Sequence, residues 1–204
     1  MGLFLASESP RRRELLKRLV KQFTVESACV EEISSSAEHS PEELALANAA
    51  LKAEAVSSRH PAHWVLAADT VVELDDKVYG KPRDLAEAAE VLQAFSGRTH
   101  RVITAVVLEC RNENKRSEFA VVSTVKFRKL SKQDIACYLS QVPVLDKAGS
   151  YGIQDKGEML VEGIEGELEN IIGLPVKALA DEMNRLGILG QFQNPLKVVT
   201  ATDW

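Results

Sequence analysis

The sequence predicts an α/β fold, and three features carry that expectation. Short apolar runs alternate with stretches whose apolar residues recur at helical spacing, beginning with a strand over 2–6 and a helix over 10–20. One run, Val65-Leu66-Ala67-Ala68 leading into Asp69-Thr70-Val71-Val72, is apolar without alternation, the pattern of a central strand buried on both faces. Two long β-rich runs, 99–111 and 118–130, flank the polar turn Asn112-Glu113-Asn114-Lys115 and read as an antiparallel hairpin.

The remaining elements follow in order. Residues 10–20 turn Leu15, Leu16 and Leu19 inward, and a second strand is expected around 23–29, followed by a polar loop. Ser40-Pro41-Glu42-Glu43 opens a long helix reaching about Ser58. After the central strand, Asp75-Asp76-Lys77 marks a turn, and 84–95 forms a helix stopped by Ser96-Gly97. Ser131 caps a helix running to about Gln141. Beyond Pro143 a glycine-bearing stretch, 146–173, is expected to mix loops with one strand at 158–163, and a helix over 175–186 stops at Gly187. Residues 1–187 thus read as one domain, and 188–204, which show no clear period, as a C-terminal extension.

Composition narrows the function. A chain of 204 residues is the size of one domain, and 45% hydrophobic with 27% charged residues excludes global disorder. A formal charge of −5 disfavours a dedicated nucleic-acid binder, so any anion site has to be a local basic cluster. No apolar run approaches a membrane span and no signal peptide is evident, so a cytoplasmic protein without membrane partners is expected. Cys29, Cys110 and Cys137 are odd in number and lack metal spacing, and His60 and His63 flank Pro61 rather than sharing a helix face; reduced thiols are expected and a zinc enzyme is not.

The most informative local feature is Ser7-Glu8-Ser9-Pro10-Arg11-Arg12-Arg13. Ser9 as cap and Pro10 in the first helical position put three arginines into a first turn, where the helix dipole repels cations. The helices opened by Ser40 and Ser131 carry Glu42, Glu43 and Asp134 there instead. Either this is a solvated basic turn, or backbone N–H groups, hydroxyls and guanidiniums converge on a phosphate. Asp69 stands near the carboxyl end of the central strand, where α/β sheets bind ligands; it is either a loop cap or a metal ligand or general base. Lys52 emerges from the Ala45, Ala49 and Val56 stripe and either snorkels or meets an anion. Lys81 sits in the stiff turn Gly80-Lys81-Pro82, and Ser96 and His100 at a helix-to-strand junction. Gln154, after the Gly149-Ser150-Tyr151-Gly152 turn, has an amide able to read a base edge. Neither a dinucleotide nor a Walker-type loop is present.

Taken together, Leu5-Ala6-Ser7-Glu8-Ser9-Pro10-Arg11-Arg12, Leu51-Lys52-Ala53, Ala68-Asp69-Thr70-Val71-Val72, Gly80-Lys81-Pro82, Ser96-Gly97-Arg98-Thr99-His100, Asp146-Lys147-Ala148-Gly149 and Asn170-Ile171-Ile172-Gly173-Leu174-Pro175 resemble the Maf family of nucleoside triphosphate pyrophosphatases. The resemblance implies an elongated mixed central sheet flanked by helices, with two lobes around a cleft as in inosine triphosphatases. It also implies a homodimer and hydrolysis of a nucleoside triphosphate to monophosphate and pyrophosphate with a divalent metal, Mg²⁺ or Mn²⁺. By motif it makes Asp69 the proton acceptor, puts Glu32, Lys52 and Lys81 in the catalytic cleft, and assigns the metal to Asp69 and Glu32. Ser7, Arg11 and Arg12 would lie on the phosphates, with Ser96 also counted as substrate-binding.

Arg12, Thr70 and Gln154 match the branch of that family acting on dTTP and UTP. Three departures from the family pattern stand out: Leu168-Glu169 where an aromatic is frequent before Asn170, Asp155 where glycine is usual, and the tail. A 7-methyl-GTP or purine-directed pyrophosphatase is the alternative enzyme. A non-catalytic nucleotide-binding regulator of cell division is the alternative outside catalysis, and it would keep the arginines yet lack Asp69, Lys52 and Lys81.

Overall fold

The computed structural model describes residues 1–34 and 39–193. The chain runs β1 (Leu3–Leu5), α1 (Pro10–Leu19), β2 (Thr24–Val25), α2 (Pro41–Ser57), β3 (Trp64–Leu74), β4 (Lys77–Tyr79), α3 (Leu85–Phe95), β5 (Thr99–Cys110) and β6 (Lys115–Phe127). It continues through α4 (Lys132–Leu139), β7 (Val161–Glu165), α5 (Leu168–Ile172), α6 (Val176–Arg185) and α7 (Leu189–Phe192). The expected elements recur with changes of boundary, but Asp69, expected near the carboxyl end of its strand, stands in the middle of β3, which runs on to Leu74 because β5 pairs with it throughout. The strand expected over 23–29 is only two residues long, and the one expected at 158–163 begins at Val161, because 157–159 form a tight helical turn. α5 and β4 were not anticipated: five and three residues are too few to show a period.

The strands form one mixed seven-stranded sheet in the order β2-β1-β3-β5-β6-β7, with β4 paired to the far end of β3. β1, β2 and β3 are parallel; β3, β5, β6 and β7 are successively antiparallel. Asp75 and Asp76 both adopt positive φ (54° and 61°), the conformation that a two-residue hairpin turn requires between β3 and β4.

Alternation along β3 sorts the core. Val65, Ala67 and Val71 pack with Ile103, Ala105 and Val107 of β5 under α2, whose Ala45, Ala49 and Ala53 let the helix lie close to the sheet. On the other face Trp64, Leu66 and Ala68 join α1 and α6, whereas Val72 and Leu74 join α3 and α4. The residue between those two apolar groups on that face is Thr70, paired in register with Thr104 of β5. Two lobes thus share one sheet and meet at a polar seam.

Past Gly187 the chain stays in the same core. Ile188, Leu189 and Phe192 are buried with α1 and α6, and Lys21 N–H donates to Phe192 O at 2.9 Å. The start of the anticipated extension is therefore part of the packed body; residues 35–38 of the polar loop and 194–204 of the tail lie outside the described residues. No helix among the described residues is long and apolar enough to cross a membrane. Cys110 is buried in the α1 side of the core, and Cys29 and Cys137 are exposed; all three are free thiols.

His100 is a core residue of β5, 1% exposed, stacked on Phe95 at 4.3 Å and bonded through Nε2 to the Tyr151 hydroxyl at 2.8 Å. Burial pushes its pKa down to about 3. Between about 6.5 and 3 the unfolded chain binds a proton that the folded chain refuses, so this contribution to stability is full above pH 6.5 and is lost as the pH falls. Going from pH 7 to pH 5, wild type should lose about 2 kcal/mol on this account. Urea denaturation of His100→Gln at both values should show a fall smaller by that amount; equal falls would mean that His100 takes up a proton in the fold.

Candidate active site

The break in strand pairing beside β3 creates the site. On its outer side β3 pairs with β1 only as far as Leu66, and with β4 only from Val72. Between them, residues 68–71 carry no strand partner on that side among the described residues, and a cleft of about 820 Å³ opens there. Asp69 and Thr70 project to opposite faces of the sheet, yet both reach this cleft because their strand is its floor.

On the α2 face, Lys52 makes the central contact. Its ammonium lies 2.6 Å from Asp69 Oδ1 and 2.6 Å from Glu32 Oε1, with the Lys52 and Asp69 side chains only 11% and 10% exposed. Glu32 is half exposed. Burial pushes the Glu32 carboxyl up, but the Lys52 hydrogen bond and charge, with Lys81 and Arg12 adding to them, outweigh it and hold the pKa below the ordinary value. An ammonium has three N–H groups, so two carboxylates leave one for a ligand. Lys81 lines the same cleft from the turn after β4.

On the opposite face stands the arginine turn. The Ser9 hydroxyl accepts from Arg12 N–H at 3.4 Å, capping α1, and no acidic residue occupies that helix's first turn. Arg12 folds back into the structure: Nε donates to Gly173 O at 2.9 Å, Nη2 to Thr70 Oγ1 at 3.0 Å and Nη1 to Ser7 Oγ at 3.4 Å. Burial, the strongest influence on it, draws its pKa below the usual guanidinium value against the opposing fields of Asp69 and Glu32. Arg11 points outward to Asp146 Oδ2 at 3.0 Å, an exposed pair. Arg13 is exposed.

Beneath Arg12 runs a directed hydrogen-bond chain. Thr104 Oγ1 donates to Asn170 O at 2.9 Å, so its single proton is spent there. The 2.9 Å contact between Thr70 and Thr104 must then be donated by Thr70, whose oxygen in turn accepts from Arg12. The Asn170 side chain donates to Val102 O and to Ser123 Oγ, each at 3.0 Å, tying β5 and β6 to α5.

The cleft brings together Ser7, Arg11, Arg12, Glu32, Lys52, Asp69, Thr70, Lys81 and Gln154. It does not bring Ser96: that hydroxyl donates to Leu130 O and accepts Leu130 N–H at 2.7 Å, clamping the end of α3 to the segment between β6 and α4, away from the cleft. Gln154, expected to read a base edge through its amide, is exposed on the cleft wall. Asp155, where glycine was expected, faces Lys147 at 3.5 Å, and Glu169 pairs with Arg18 of α1 at 3.0 Å. Both departures are absorbed by local ion pairs. Sequence reasoning missed Thr104, Asn48 and Lys147 as site-supporting residues. Lys147, which stood in the Asp146-Lys147-Ala148-Gly149 motif without a role of its own, is 6% exposed and bonded to Asp146 and Pro143 O.

Three comparisons bear on this arrangement. The sequence pattern of the Maf-like protein family matches residues 2–186. The chain is 45% identical over 185 residues to the dTTP/UTP pyrophosphatase of Akkermansia muciniphila, covering 91% of this chain and 96% of that one. It is 46% identical over 187 residues to the dTTP/UTP pyrophosphatase of Myxococcus xanthus, covering 91% and 93%. Among solved structures, the Staphylococcus aureus Ham1 protein superposes with a TM-score of 0.51 at 15% identity, over 94% of this chain and 100% of that one, which is a likeness of fold.

The directed chain has a measurable consequence. Thr104→Val conserves shape at a fully buried position, yet it strips the Thr70 hydroxyl proton of its acceptor and takes one of two donors from Asn170 O, which keeps only Gly173 N–H. The expected cost is about 1–3 kcal/mol in urea denaturation, with Thr104→Ser recovering most of it. A Val variant as stable as wild type would mean that the seam is relieved by another partner.

Proposed function

This chain belongs to the Maf-like protein family, and from that premise we propose that it is a nucleoside triphosphate pyrophosphatase acting on dTTP and UTP. The observation that carries the reading is the carboxylate–ammonium–carboxylate cluster of Glu32, Lys52 and Asp69, facing a cationic wall of Arg11, Arg12 and Lys81 across a single cleft. A triphosphate brings several negative charges, and this wall supplies complementary ones despite the acidic balance of the chain as a whole. The relatives named as dTTP/UTP pyrophosphatases support the choice of substrate.

In this reading Asp69 Oδ2, the oxygen that Lys52 does not engage, takes the proton of the attacking water as the water's oxygen bonds to the α-phosphorus. The α–β bridging oxygen leaves with pyrophosphate, whose charge Arg11 and Lys81 offset. Arg11 reaches it by exchanging Asp146 for phosphate, a small cost for an exposed pair. Lys52 holds Asp69 by Oδ1 and so orients the carboxylate. Arg12, with three donors already turned to protein acceptors, shapes the site rather than clamping phosphate with its whole fork.

A divalent cation fits the donor set. Among the described residues no three acidic, histidine or cysteine side chains gather, but Glu32 and Asp69 converge on one cationic point, now taken by the Lys52 ammonium. Mg²⁺ or Mn²⁺ held by one or two carboxylates takes its other ligands from water and phosphate, so Glu32 and Asp69 would be its protein ligands. When bound it supplies charge stabilisation to the phosphate oxygens. The same family membership supports a homodimer in the cytoplasm, which sedimentation and fractionation would test.

A panel of nucleoside triphosphates, including 7-methyl-GTP, should release pyrophosphate fastest from dTTP or UTP; nucleoside diphosphate as main product would overturn the assignment. Asp69→Asn should lower kcat by ~10²–10⁴-fold in a folded protein. Near-wild-type turnover would reduce Asp69 to a structural partner of Lys52. Gln154→Ala should lower kcat/KM for dTTP and UTP more than for purine triphosphates, whereas Arg11→Ala should lower all alike because phosphate carries no base information. Uniform loss in the Gln154 variant would exclude Gln154 from base recognition.

A further inference from the structure

The Glu32 segment is held to α2 twice. Asn48 lies one turn before Lys52, on the same side of the helix, and is 4% exposed. It bonds both backbone groups of Ile33: Ile33 N–H donates to Asn48 Oδ1 at 2.8 Å, and Asn48 Nδ2 donates to Ile33 O at 3.1 Å. A carboxamide paired in this way imitates the double exchange between opposed residues of an antiparallel ladder and leaves the peptide one orientation. Glu32 immediately precedes Ile33, so fixing that peptide fixes the direction in which the carboxylate leaves the chain. Among the described residues, the other side-chain ties of this loop to the end of α2 lie at its start, where Glu26 meets Arg59 and His60 and Ser27 O accepts from Arg59. They are too far along the chain to orient Glu32. Although Asn48 borders the cleft, both ends of its amide are turned to Ile33.

We propose that Asn48 is the positioning residue for Glu32. One rigid helix grips the loop by Asn48 and the Glu32 carboxylate by Lys52, so loop, ammonium and Asp69 are assembled as a unit before substrate arrives. This rests on the reading of Glu32 and Lys52 as part of a pyrophosphatase site. Glu32 has no donor for phosphate and acts only through Lys52 and the cation it would help to hold, while Arg11 and Lys81 keep their own hold on the phosphates, so losing its placement should fall mainly on turnover.

The test combines steady-state kinetics on the preferred triphosphate with hydrogen exchange over residues 30–34 in the full chain. Asn48→Leu, similar in volume but unable to pair with Ile33, should lower kcat by ~10–100-fold, the scale of an ångström-sized misplacement. KM should stay within about threefold, and exchange of the Ile33 amide should rise by ~10-fold or more. Asn48→Gln, which keeps donor and acceptor, should recover part of both, and it stands in should the Leu variant fail to fold: intermediate protection and turnover are then expected. An Ile33 amide still protected in Asn48→Leu overturns the clamp, and so does an unprotected one with wild-type kcat. Equal loss in kcat and melting temperature with unchanged exchange overturns positioning in favour of a packing role. A wild-type chain that releases no pyrophosphate from any triphosphate overturns the function reading instead, and exchange at Ile33 then still decides whether the clamp exists.

Discussion

The rest of the structure depends on an interruption in the sheet. β1 ends at Leu5 and β4 does not begin until Lys77, so the middle of the longest parallel-paired strand is open on one side. A buried strand left open this way carries unpaired backbone groups, a cost that a fold bears only where something else is to meet them. Here the opening lies beyond the carboxyl end of β1, the place where α/β sheets bind ligands. The loop after β1 brings Ser7 into the cleft and turns at once into α1, which brings the arginines, while the turn after β4 brings Lys81. Gly149, at φ +72°, donates its N–H to Gly80 O at 3.1 Å, and a Cβ there would stand 3.0 Å from Val72. That close approach keeps the Lys81 turn against the second lobe.

Charge is partitioned across this opening by strand alternation. Asp69 faces α2 and Thr70 faces α1, so the acidic cluster and the guanidinium of Arg12 are separated by one strand yet share a solvent space. Lys52 binds two carboxylates, leaving that side with one net negative charge. Removing one partner of such a buried pair typically costs about 3–5 kcal/mol, because the charge left behind keeps its desolvation penalty. The cluster is thus a poor choice for stability alone. It makes sense as a preorganised site, where a carboxylate has to be ionised, oriented and still have one oxygen free.

Much of the fold was legible in the sequence because its signals are local. Ser40-Pro41 with Glu43 forms the expected capping box, and Asp84 caps α3 through Glu87 N–H. The apolar run over 65–68 is a fully buried strand. What escaped was either too short to show a period, as in β4 and α5, or defined by a partner distant in the chain. Ser96 was placed with the substrate through its motif, yet its hydroxyl is committed to Leu130, 34 residues away. Asn48 was not singled out at all, because its partner is the loop at Ile33, 15 residues earlier in the chain. The basic first turn of α1 was readable as an electrostatic anomaly, but not the division of labour between Arg11, which faces outward, and Arg12, which faces in.

That division matters for how the cleft tells a nucleoside from its phosphates. Phosphate oxygens accept hydrogen bonds, so the side chains that bond them are donors. Arg11, Lys81 and the remaining N–H of Lys52 are donors. Thr70 is not one, because Thr104 spends its proton on Asn170 O and thereby commits the Thr70 proton to Thr104. What Thr70 has left, after accepting from Arg12, is a lone pair. The seam between the two lobes therefore presents an acceptor to the cleft, next to a wall of donors. A ligand that is anionic along one part of its length and carries an N–H or O–H at another, as a nucleotide does, complements both.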